Sequence, residues 1–262
     1  YAAMALVHCW RAMSGYARPA SVRSAVRTAA RMAVELDDML AEGHAALGWV
    51  MMAFEWDFST AESELRRAVA LNASSAMAYS QYALYLAAVG RSDEAVAQMT
   101  RARHLDPTSA AAMWESAVVY FEVRRYEEAV ALLRQELELY PNAAIAHSAL
   151  AFIQARRGAK LQALASADRA RSLVAEGTDL NVDVWFAEAY FLCDRHAEAL
   201  HVLEAWELLS ERSYTEPFSM ASINAVVGRR ERAIEWLQRA FEERSPLLPW
   251  VKAQPAFDSL RS

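Results

Sequence analysis

The chain opens on an apolar, helix-like run, YAAMALVHCW, and runs of that kind alternate along it with charged, helix-like ones. In the charged run TAESELRRAVALN, Leu65 and Ala68 fall three apart, on the buried side of a helix. Helices are expected near 1–13 and 20–37, and beyond them the alternation becomes periodic. GRSDEAVAQMTRARHLDP (90–107) aligns with RRYEEAVALLRQELELYP (124–141), which sets Pro107 and Pro141 34 residues apart, and Ala95 and Ala129 likewise. GAKLQALASADRARSLVA (158–175) continues at that spacing with Ala163 and Ala170. The anchoring alanines Ala61, Ala95, Ala129, Ala163, Ala199 and Ala233 are separated by 34, 34, 34, 36 and 34 residues. A fixed period of this length is the mark of one supersecondary unit repeated along the chain.

Composition narrows the picture. The 262 residues are 55% hydrophobic and 23% charged, enough for a continuous core. Gly and Pro number seven each, leaving little material for long loops, and frequent Ala favours helix. A net charge of −6 argues against a nucleic-acid surface, which needs a basic stripe. No apolar run approaches the roughly 20 residues of a membrane span. Two cysteines, Cys9 and Cys193, give no disulfide framework, so a reducing, cytoplasmic setting is expected, with a periplasmic placement in a membrane-anchored parent as the alternative. The chain starts without Met inside a helical pattern and is expected to be part of a longer protein.

The spacing and its small residues resemble the tetratricopeptide repeat, a 34-residue helix–turn–helix unit with small residues at its eighth, twentieth and twenty-seventh positions. Gly48, Ala83, Ala117, Ala151, Ala187 and Ala221 occupy the eighth position, and Ala68, Ala102, Ala170 and Ala240 the twenty-seventh, where Glu136 and Trp206 depart from the pattern. Gly90, Gly158 and Gly228 mark the turn. Small side chains let helices approach closely, and Leu65, Met99, Leu133, Leu203 and Leu237 are expected to fill the space between them. The resemblance implies an all-α, right-handed superhelical solenoid of about seven units in a single domain. A degenerate unit covers 1–40; regular ones cover 41–73, 74–107, 108–141, 142–175, 178–211 and 212–245; residues 246–262 form a C-terminal capping segment.

FEWDF (54–58) alternates rings and acids, and so raises the question of a catalytic or metal-binding box. In the unit 41–73, however, Leu47 and Ala61 lie 14 apart where regular units have 13, which makes the stretch a one-residue insertion in a turn. Ser59 is the expected N-cap of the next helix, with Glu62 closing a capping box. Such a turn lacks the desolvated pocket that tunes an acid and a base. The histidines show no metal spacing: His44 and His147 share the fourth position of their units, where core packing is expected, and His196 and His201 do not share a helical face. The chain is expected to be neither an enzyme nor dependent on a cofactor or metal.

What remains is a surface. In tetratricopeptide domains the first helix of each unit lines the concave face through its second, fifth, ninth and twelfth positions. The resemblance places there, or at the margin, Trp49, Met52, Met77, Leu84, Trp114, Val118, Phe121, Phe152, Arg156, Glu188, Phe191 and Phe218. So apolar a face suggests binding; the other reading is that a tight superhelix or the C-terminal segment covers it. The Lys and Asn pattern that clamps a C-terminal carboxylate is missing, since Ala45, Trp49, Ser80, Leu84, Trp114 and Val118 hold those positions. The groove is therefore expected to take a protein, an apolar peptide or an apolar small molecule, with no direct contact to nucleic acid, and self-association as a homodimer is the alternative. A narrower likeness joins FEWDF to the closing WLQRAFEERSPLLPWVKAQPAFDSLRS: both resemble the C-terminal repeat region of bacterial multidomain signalling proteins, among them winged-helix transcriptional regulators, where repeats serve as a sensory or interaction module.

Overall fold

The computed structural model describes residues 1–175 and 179–261. Among these the protein is all-helical, and it divides into two compact units, one of residues 1–123 with 241–253 and one of residues 124–240 with 254 onward. The first unit contains α1 (Ala2–Met13), α2 (Pro19–Leu36), α3 (Ala41–Val50), α4 (Phe58–Leu71), α5 (Ala76–Ala88), α6 (Ser92–Leu105) and α7 (Ala110–Glu122). Here α1 pairs with α2, α3 with α4 and α5 with α6, while α1, α3, α5 and α7 pack successively as a row of first helices. The second unit holds α8 (Tyr126–Leu139), α9 (Ala144–Arg156), α10 (Lys160–Leu173), α11 (Leu180–Leu192), α12 (His196–Ser210), α13 (Pro217–Val226) and most of α14 (Arg230–Glu242). In it α9 pairs with α10 and α11 with α12, and α9, α11 and α13 form its row of first helices.

Close approach at the small positions builds both units. Ala61, Ala68, Ala95, Ala102, Ala129, Ala163, Ala170, Ala199, Ala233 and Ala240 are all sealed from solvent, and Leu65, Met99, Leu133 and Leu203 fill the layer between helices. Leu237 departs from that expectation: it is only half-buried, and its neighbour Trp236 points inward instead. The two helices of a repeat differ in kind. Second helices such as α4 bury a narrow stripe, Ala61, Leu65 and Ala68. From α3 onward the first helices are buried along most of their length, α13 from Pro217 through Ala225 without a break, whereas α1 at the start of the row buries only Ala5, Cys9 and Ala12. The two large departures at the twenty-seventh position are accommodated in different ways, Trp206 partly buried and Glu136 fully so. Trp206 Nε1 donates to Asp183 Oδ2 at 2.8 Å, whereas Glu136 is enclosed and burial pushes its carboxyl up to about 7.

At the turns Gly90, Gly158 and Gly228 have φ of 83°, 78° and 79°, the left-handed conformation that glycine adopts without steric penalty. Trp56, Arg124, Asp194 and Arg244 also take positive φ, between 55° and 65°, where the chain must turn without a glycine. The insertion at FEWDF is absorbed as a π-helical turn, Met51–Glu55, which ends α3 and throws Trp56 into the left-handed region. This corrects the expected cap. The N-cap of α4 is Asp57, whose Oδ1 accepts from Thr60 N at 3.0 Å and Oδ2 from Thr60 Oγ1 at 2.6 Å. Ser59 lies inside the helix, and Glu62 faces Arg91 Nη1 at 2.5 Å and Arg66 Nη2 at 2.9 Å rather than closing a capping box.

Candidate binding face

The residues assigned to the face sit on the row of first helices, and helix packing decides how much of each is left accessible. In the first unit Met52, in the π-turn, and Phe121 on α7 are sealed, and Leu84 is nearly so. Met77 sits against the small-residue cluster Ala45, Ala68 and Ala78, where it fills the seam between repeats. Trp49 is covered from within its own unit: the Trp250 ring lies over it, centroids 5.6 Å apart. Trp114 and Val118, one turn apart on α7, keep partial access to solvent. Glu115 lies between them in sequence; burial pushes its carboxyl up to about 7, and a hydrogen bond from Ser80 opposes the shift.

In the second unit the face is a chain of contacts. The Arg156 guanidinium lies 4.9 Å from the centroid of the Phe152 ring, which meets Trp185 edge-on at 5.6 Å. Glu188 is only 2% exposed, and Ser222 Oγ, 34 residues on at the same position of the next repeat, donates to its Oε1 at 2.5 Å. Burial pushes the Glu188 carboxyl up to about 7 against the pull of the Ser222 bond and the Arg156 charge. Phe218 lies one turn before Ser222 on the same side of α13, and Phe257 meets it edge-on at 5.2 Å. Phe191 does not join this row; it stacks on His196 at 4.4 Å, at the turn after α11. A cavity of about 340 Å³ between α8, α9 and α10 is lined by Glu127, Arg134, Gln154 and Arg157 among others, and none of the expected face residues borders it.

Several side chains that matter here escaped the sequence reading. Trp250 and Phe257 lie outside the repeat, so no periodicity points to what they cover. His44 does more than pack: its Nδ1 faces Glu64 Oε2 at 2.6 Å, and its Nε2 faces the Asp38 carbonyl at 2.8 Å. His147 Nε2 meets the Pro141 carbonyl at 3.0 Å, also six residues back, so the shared fourth position ties each first helix to the loop before it. That pairing was available from the shared repeat position. The turn aromatics form a cluster of their own: Trp56 lies 5.4 Å from Phe241, and Arg244 sits 4.3 Å above the Trp56 ring. Glu55 pairs with Arg23 at 2.7 Å, which holds its carboxyl below the ordinary range against the cost of burial. The acids of FEWDF are thus committed to a salt bridge and a helix cap.

The family model for the tetratricopeptide repeat matches residues 81–144 and 115–178. With helical hairpins stacked at a 34-residue period over small-residue seams, that match decides the identity. The chain carries a tetratricopeptide-repeat domain. Solved structures agree on the fold. A tetratricopeptide repeat protein from Parabacteroides merdae superposes with a TM-score of 0.61 at 15% identity, over 84% of this chain and 86% of that one. PilF of Pseudomonas aeruginosa gives 0.56 at 17%, over 85% and 97%. The APC/C hetero-tetramer Cut9–Hcn1 gives 0.63 at 15%, over 98% of this chain and 48% of that chain. No curated protein matches the chain in sequence. Among the described residues of the tetratricopeptide domain no helix is long and apolar enough to cross a membrane, and no group of three or more His, Cys, Asp or Glu is placed to hold a metal ion.

Proposed function

We propose that the tetratricopeptide domain is a non-catalytic module that binds a protein or peptide along its row of first helices, as the sensory or interaction region of a bacterial transcriptional regulator or another signalling protein. The observation that carries this reading is the pair Trp114 and Val118. They occupy the fifth and ninth positions of one first helix and keep solvent access in a row where most large apolar residues are sealed. A half-exposed Trp beside a sealed core is the usual anchor of a protein interface. Arg156, whose Nε makes no hydrogen bond among the described residues, supplies a donor on the corresponding row of the second unit.

The regulator context draws support from a second feature. The two stretches that carry the narrower resemblance, FEWDF and the closing segment, meet inside the first unit through Trp56, Phe241 and Arg244, and one further pair, Trp49 and Trp250, joins the same parts of the chain. They behave as one structural feature rather than two coincidences.

Phage display of random peptides against the intact chain tests the reading. Enriched peptides are expected to be apolar and aromatic, and to lose at least tenfold in affinity on Trp114→Ala while the far-ultraviolet spectrum stays unchanged. Peptides that bind Trp114→Ala as well as wild type would remove this face from the proposal. A doubled native mass that returns to a single chain on Trp114→Ala would give these residues to self-association instead.

A further inference from the structure

The tetratricopeptide repeat ends before residue 246, yet the segment Gln254–Leu260 is well placed on the second unit. It forms a short 3₁₀ helix of about two turns, Pro255–Leu260, against α13. A helix of this kind makes few hydrogen bonds of its own, so the seat imposes its shape. Pro255, Ala256 and Phe257 are buried, Phe257 to 2%, and its ring meets Phe218 edge-on. Around this apolar contact lies an exposed polar rim. Arg124 Nη2 donates to Asp258 Oδ1 at 2.9 Å. Arg230 Nη1 donates to the Ser259 carbonyl at 2.9 Å, and its Nη2 to the Leu260 carbonyl at 3.2 Å.

A cap has only to cover apolar surface. Here two arginines from separate turns reach a carboxylate and two backbone carbonyls around one sealed aromatic, which is the anatomy of a docked peptide: a buried anchor inside a polar rim. The seat, moreover, is Phe218, a fifth-position residue of a first helix, on the row expected to bind. We infer that the first-helix face of the second unit is a docking site for short segments of the form Pro–x–Phe–acid, and that the chain's own Gln254–Leu260 occupies it at rest. This inference rests on the reading of the domain as a peptide-binding module.

The chemistry names the partner. Phe257 supplies the anchor, and Pro255 fixes one backbone angle in advance, which lowers the entropic cost of docking. Arg124 selects an acid just after the aromatic. Arg230 reads only backbone carbonyls and is indifferent to sequence. Exposed ion pairs contribute little each, so the hold on the segment is concentrated in one ring. A partner segment must compete with a tethered one, whose effective concentration is in the millimolar range for a short connection. The intact chain therefore binds a free peptide far more weakly than a chain whose own anchor has been removed.

Fluorescence anisotropy with a labelled peptide of residues 253–261, AQPAFDSLR, measures this directly on the intact 262-residue chain. Phe257→Ala is expected to bind the peptide at least tenfold more tightly than wild type, and the same peptide with its Phe replaced by Ala is expected not to bind. Asp258→Arg, which repels the segment from Arg124 without opening a cavity, is expected to raise peptide affinity several-fold and decides the matter if Phe257→Ala loses its helical spectrum. Folded Phe257→Ala and Asp258→Arg proteins that bind no better than wild type overturn the inference. A doubled native mass of wild type, lost on Phe257→Ala, overturns it as well, since the seat would then belong to a second copy. If display-selected peptides still depend on Trp114 while AQPAFDSLR finds no seat, the module reading stands and this one falls.

Discussion

Gly48 and Gly90 are held in the repeat by different forces, and substitution separates them. At Gly48 a Cβ would stand 2.7 Å from Leu65 Cγ and 3.0 Å from the Ala61 carbonyl, so glycine is required by how closely α3 and α4 approach. At Gly90 a Cβ would meet nothing within 4 Å, but φ is 83°, so glycine is required by the backbone alone. Gly48→Ala is expected to destabilise by about 1–3 kcal/mol through overpacking, and Gly90→Ala by about 1–2 kcal/mol through left-handed strain. Urea denaturation in a Leu65→Ala background tells the two apart. Truncating Leu65 removes the atom that Cβ would strike, so Gly48→Ala should then cost less, with a coupling of about 0.5–3 kcal/mol. Gly90→Ala should cost the same in both backgrounds. Equal additivity at both sites would mean that the Leu65 side chain is not what excludes a Cβ at position 48.

At the scale of an element, the entry to α4 shows how far the sequence can be read. The insertion in FEWDF is visible from a count between Leu47 and Ala61, because the repeat supplies a ruler. Where the extra residue goes is not visible, because a wider helical turn and a longer loop consume the same number of residues. The chain widens the last turn of α3: the Asp57 amide donates back to the Met51 carbonyl at 2.9 Å, and the next helix starts two residues earlier than expected. Asp57 and Ser59 are both strong N-cap formers, so composition could not choose between them. The hydrogen bonds to Thr60, from its side chain first and its backbone second, hold the Asp57 carboxyl below the ordinary range. Asp57→Ala is therefore expected to lower Tm by about 2–4 °C, and Ser59→Ala to leave it unchanged within error, as calorimetry would record. The reverse ranking would restore Ser59 as the cap. The helices of the repeats, their small-residue seams and their glycine turns were legible because they recur. The cover over Trp49 and Phe218 was not, since Trp250 and Phe257 lie 201 and 39 residues away and follow no period.

For the whole molecule, three buried acids set the response to pH. Glu115, Glu136 and Glu188 each have their carboxyl pushed by burial from the ordinary 4.5 to about 7. Between those values the unfolded chain has released the proton and the folded chain retains it. The folded state thus binds more protons, and stability falls as pH rises through this window. The salt-bridged acids act elsewhere. Glu55, held low mainly by its hydrogen bonds from Arg23, and Glu62, held low mainly by Arg91, stabilise the fold above 4.5 and lose that contribution only as pH drops further. Through the three raised acids the domain is expected to be less stable at pH 8 than near pH 5. Glu188→Gln isolates one buried acid, because the amide keeps an oxygen for the Ser222 hydroxyl and has no proton to lose. At pH 8 this variant should be more stable than wild type by up to about 3 kcal/mol, and the difference should vanish at pH 4, where the wild-type carboxyl is protonated in the folded chain. Thermal melts from pH 4 to 8 read both ends of the curve. A Glu188→Gln protein less stable than wild type at pH 8 would show that the carboxyl is ionised in place, with the Arg156 charge outweighing burial.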